Sequence, residues 1–143
     1  MTTEAPLACV FARAVLARQA ACPLATVALE GEAERPRCGS PVAHTNCATL
    51  HALLRERATF ALRLPPPAAP LPHAAQLRLQ CGGLRGLAAA LGEPEVAPGD
   101  IHALVGRARD AFGGLLGIPF GTVVAAMQRW EGRPRAAGDR GSP

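Results

Sequence analysis

The sequence predicts a mainly α-helical protein: a small single domain of about five short helices, closing in a C-terminal helical hairpin, with one or two short strands. Three observations carry this expectation. Apolar residues recur three and four positions apart along most of the chain. Ser40-Pro41 and Asp100 stand directly before two of these periodic runs, where a helix needs an N-cap. Prolines fall between the runs or at their first positions. At 143 residues the chain fits one domain with a modest core. Apolar residues make up 49% of it, but many are alanine and aromatics reach only 3%, so each buried side chain removes little area from water. A bound metal would offset so thin a core.

Taken in order, the first helix is expected over Ala5–Ala21, with Leu7, Val10, Phe11, Ala14 and Val15 on one side and Arg13 and Arg18 marking the polar side. On that helix Cys9 reads as a small buried apolar residue. Pro23 ends the helix, because the residue before a proline is pushed out of the α region. Ala25–Leu29 reads as a short strand with no obvious partner. Glu30, Glu32, Glu34 and Arg35-Pro36-Arg37 read as a solvated loop, and the glutamates as surface rather than a cation site.

The second helix is expected over Pro41–Ala58, with the stripe Leu50, Leu53, Leu54 and a wet side at Arg55-Glu56-Arg57. Thr59–Leu64 reads as a short strand or a frayed extension. Pro65–Pro72 reads as a stiff, polyproline-like connector that divides the domain into a metal-binding half, 5–91, and the hairpin, 100–131. A third helix starts near Pro72 and carries Cys81. Gly82-Gly83 then interrupts it at a cost of about 2 kcal/mol relative to alanine, which calls for a break or a close backbone approach. Leu84–Leu91 resumes the helix. The hairpin pairs a helix capped by Asp100, with Ile101, Leu104, Val105, Ala108 and Phe112 on its apolar face, with one over Phe120–Glu131 carrying Val123, Met127 and Trp130. The domain spans 1–132, and the Gly/Pro/Arg composition of 133–143 reads as a disordered tail.

Charge and composition narrow the function classes. The net charge is +4, and all fifteen basic residues are arginine, scattered without a basic block or interleaved aromatics, so no nucleic-acid partner is expected. No run approaches the roughly 18 apolar residues of a membrane span, and Met1-Thr2-Thr3-Glu4 lacks the basic character of a secretory leader, so the expectation is a cytoplasmic protein without a membrane partner. Several cysteines in that setting point to metal or redox chemistry before disulfides.

Four cysteines sit in turn-like or helix-end contexts. Cys22 precedes Pro23, Cys38 opens Gly39-Ser40-Pro41, Cys47 lies early in the second helix, and Cys81 precedes Gly82-Gly83. Four thiolates held by backbone that folds closely around a bulky cube are what a 4Fe-4S cluster requires. Cys22, Cys38, Cys47 and Cys81 are therefore the expected ligands of an iron–sulfur cluster, with Cys9 a bystander. The competing expectation is a structural zinc held by Cys38, His44, Cys47 and His51, of which His44, Cys47 and His51 share a helix face. That set lacks a close Cys-x-x-Cys knuckle. The reading without metal makes all five cysteines small buried side chains.

No catalytic constellation stands out. Cys47, with a pKa lowered by its place near a helix start and His44 or His51 as base, would lack an orienting third residue and a substrate-binding motif. A P-loop is excluded, since the chain has no lysine. His73 and His102 read as surface or capping residues. The expected function is an iron–sulfur electron-transfer or accessory/maturation protein whose partner is a larger redox enzyme or an assembly factor. The alternative is a protein–protein adaptor with a structural zinc or no metal. Oligomeric state is not legible.

Overall fold

The structure, a computed structural model, describes residues 7–132; the first two positions of the expected first helix and the expected tail at 133–143 lie outside them. In chain order the elements are β1 (Leu7–Ala8), α1 (Ala12–Leu16), β2 (Ala25–Glu30), β3 (Ala33–Cys38), α2 (Pro41–Ala58), α3 (His73–Leu77), a π-helical turn (Arg78–Gly82), α4 (Gly83–Ala90), α5 (Ile101–Ala111), a 3₁₀ turn (Leu115–Gly117) and α6 (Phe120–Arg129). The protein is a small, mainly α-helical domain with one three-stranded antiparallel sheet of order β1-β3-β2. Among the described residues, no helix is long and apolar enough to cross a membrane.

The two predicted caps are in place. Ser40 Oγ accepts from Ala43 N at 3.2 Å, and Asp100 Oδ1 accepts from Ala103 N at 3.0 Å. The N-terminal expectation needs correcting. In place of a helix from Ala5 to Ala21, Leu7 and Ala8 pair with Cys38 and Arg37, Cys9 N donates to Pro36 O, and helix begins only at Ala12. The segment expected to be a solvated loop, 30–37, holds the end of β2, the turn at Gly31, whose φ is +69°, and most of the second arm of a β-hairpin, Ala33–Cys38. Pro36 sits inside β3, the middle strand, where its carbonyl accepts from Cys9 N and its missing N–H costs no bond to β2, since Val27 and Pro36 are a non-hydrogen-bonded pair.

The helical core is built on a rod made of α3, the π turn and α4. The backbone stays in the α region through Leu77, Gly82 and Gly83, so the double glycine does not interrupt the helix as expected. It serves close approach instead. A β-carbon at Gly82 would lie 2.7 Å from Met127 Cα, and one at Gly86 2.7 Å from both Val123 Cα and Val123 O, so α6 rests directly on the rod's backbone. Leu54, Leu79, Leu84, Leu87, Ile101, Leu104, Val123 and Met127 fill the space between rod, α2, α5 and α6. Arg78 Nη1 reaches across to Met127 O and Gln128 O, capping the last carbonyls of α6.

Two further expectations change form. α5 and α6 follow one another in the chain, and each packs chiefly on the rod and α2, so the C-terminal segment joins the common core. The proline connector does not separate two halves. Arg55 of α2 donates to Pro66 O at 2.8 Å and Ala69 O at 2.7 Å, strapping the connector to α2, and Leu71 is buried. Thr59–Arg63 is turn rather than strand.

Candidate metal centre

Four of the five cysteines face one small cavity where the sheet meets the start of α2 and α5. Its walls are Cys9, Val10, Phe11, Cys22, Ala25, Cys38, Ala43, His44, Cys47, Ile101 and His102, and its volume is about 20 Å³. That is room for about one water molecule.

Each thiol arrives on a different segment. Cys9 lies in the turn between β1 and α1. Its amide is bonded to Pro36 O at 3.0 Å, and its segment is tied to the rod by buried Gln80, which accepts from Ala14 N and donates to Val10 O. Cys22 follows Ala21, whose N–H and C=O pair with Pro98 O and Ile101 N, both at 2.9 Å, anchoring that loop to the start of α5. Cys38 ends β3 between Leu7 and Ala25, and its Sγ donates to Ser40 O at 3.3 Å. Cys47 projects from α2, two turns past the Ser40 cap.

The electrostatics follow from the grouping. Burial pushes the Cys47 thiol up to about 12, with Cys9, Cys22 and Cys38 each adding to the rise. Burial also raises Cys9, partly offset by a hydrogen bond from the Phe11 backbone, with smaller contributions from Cys22 and Cys38. The walls hold no arginine. The backbone hydrogen bond at Cys9 is outweighed by burial, and the lowered pKa expected for a Cys47 nucleophile is reversed. A metal centre is the kind of charge that deprotonates such thiols outright.

Cys22, Cys38 and Cys47 line the same cavity, and Cys81 does not join them. Cys81 is 1% exposed, packed in the helical core at the π turn. Burial raises its thiol to about 11, and its charged neighbour is Arg85, not another cysteine. The fourth wall is Cys9, the residue set aside as a bystander. It was missed because the choice among five cysteines rested on adjacent turn residues, and Cys9 has none; pairing of β1 with β3 places it in a turn that the helical periodicity concealed.

The zinc set is not assembled either. Cys38, His44 and Cys47 reach the cavity, but His51 packs edge-on against Phe11, ring centroids 5.8 Å apart, where burial and then Arg55 lower its pKa. Among the described residues, no three His, Cys, Asp or Glu side chains converge closely enough to hold a single ion. Zinc–sulfur bonds of about 2.3 Å would draw four sulfurs to within about 4 Å of one another. A cube spaces its thiolates more widely, because each binds a different iron. Four cysteines are the donor type a cluster takes, but a cavity of about 20 Å³ is narrow for one. Comparison with known protein families, curated proteins and solved structures finds no match to this chain.

Proposed function

We propose that this chain is a small iron–sulfur protein in which Cys9, Cys22, Cys38 and Cys47 hold a cluster, and that it serves a larger redox enzyme as an electron-transfer or accessory protein. One observation carries the reading: four thiols from four separate segments face a single apolar cavity. A bound cluster would supply reversible one-electron chemistry or iron and sulfide for delivery. The chain's own contribution is to fix the thiols on β-sheet, loop and helix, shield them with Val10, Phe11 and Ile101, and donate backbone hydrogen bonds to sulfur as at Cys9.

A second reading is supported by the narrowness of the cavity: the same four thiolates around one structural zinc, in a protein–protein adaptor. Metal and acid-labile sulfide analysis of anaerobically purified full-length chain, with its visible spectrum, separates the two. Brown protein containing iron and sulfide in equal amounts is expected. Colourless protein with one zinc per chain would reverse the order, and protein that takes up neither metal would remove both readings.

A further inference from the structure

We infer that the outer edge of β2 is a self-pairing surface, joining two copies of this chain through a continuous antiparallel sheet. This inference is independent of the metal reading. β2 is an edge strand whose substantial contacts are with β3 alone.

The ladder fixes which groups point outward. Gly39 N bonds Leu24 O, and β2 and β3 run in the register Thr26–Arg37 and Ala28–Arg35. Pro36 O is instead directed to Cys9 N, on the β1 side. Hydrogen-bonded and non-bonded pairs alternate along an antiparallel ladder, so the even-numbered residues of β2 bond to β3, and Val27 and Leu29 turn their N–H and C=O away from it. Among the described residues, no strand pairs with that edge.

The side chains are equally unguarded. Val27 is 51% and Leu29 73% exposed, on one face of the hairpin. Edge strands are normally protected by lysine, proline or an inward charge, yet Ala25–Leu29 contains none of these. The only charge on β2 is Glu30, already paired with Arg37 of the same hairpin.

A second copy fits this edge by symmetry. Two of the two-fold antiparallel registers that match the outward groups set Val27 opposite Val27 or Leu29 of the second copy. In both, apolar side chains meet apolar ones across the join, and Glu30 lies opposite Leu24 or Thr26 rather than another Glu30, so no like charges oppose. One six-residue strand from each copy is well short of the roughly 20–30 residues a side of a standard interface, so the dimer is weak and concentration-dependent.

Sedimentation equilibrium of the full chain from low micromolar to several hundred micromolar tests it. Reversible dimerisation is expected. Val27→Pro removes an outward N–H that the β2–β3 ladder does not use, so it should abolish the dimer while leaving the circular dichroism of the monomer unchanged. Val27→Arg, which sets like charges near the two-fold axis, should do the same if proline disturbs the hairpin. A wild-type chain that stays monomeric throughout, or a dimer that survives both substitutions, overturns the proposal. So does a monomer whose Val27 and Leu29 amides exchange slowly, because another part of the chain would then cover the edge.

Discussion

Cys47 and Cys81 carry the same thiol into different company. Around Cys47 are three other cysteines; around Cys81 are core side chains and the guanidinium of Arg85. Cys81 therefore acts through the fold rather than the site, and pH reports it. Its thiol titrates near 11 in the folded chain, against an ordinary value near 9. The folded state keeps the proton after the unfolded state has lost it. The stabilisation is complete below pH about 9 and is lost as pH rises through about 11, on the order of 2–3 kcal/mol at about 1.4 kcal/mol per unit. Urea melts of the wild type and Cys81→Ala between pH 8 and about 11 should show a shallower alkaline decline in the variant. Parallel curves would mean that Cys81 titrates like an exposed thiol.

Glycines distinguish the elements that touch from those that do not. Gly86 lies where α6 meets the rod, and its added β-carbon would stand 2.7 Å from Val123 backbone, whereas nothing lies within 4 Å at Gly106 on α5. Gly86→Ala should cost about 1–3 kcal/mol by forcing α6 away. Gly106→Ala should stabilise by about 0.5–1 kcal/mol through helix propensity alone. Thermal denaturation of the two variants checks the pair, and equal shifts would contradict the contact. At this scale much was legible: Ser40, Asp100 and the apolar stripes of α2 and α5 mark helices by chemistry that acts within one turn. The β-hairpin was not. Its arms expose both faces, so no apolar-polar alternation is imposed, and Glu34, Arg35 and Pro36 read as loop. The short extent of α1 escaped for a related reason. Pairing of Leu7–Ala8 with β3 overrides the helical spacing, and a partner thirty residues away leaves no local trace.

Over the whole molecule, the cysteines are brought together by the part of the fold least visible in the sequence. Three of the four thiols sit on or beside the sheet, and only Cys47 is on a helix. Of the four ligands expected from sequence, Cys22, Cys38 and Cys47 line one cavity together with Cys9, while Cys81 lies in the helical core. The turn-like context of Cys81 has another reason: its glycines admit α6. The central claim is that Cys9, not Cys81, completes the set. Iron and acid-labile sulfide per chain in anaerobically reconstituted Cys9→Ser and Cys81→Ser, each against wild type, test it most directly. The account predicts that Cys9→Ser loses most of its iron and sulfide while Cys81→Ser keeps both at the wild-type level. Full retention in Cys9→Ser with loss in Cys81→Ser would contradict it.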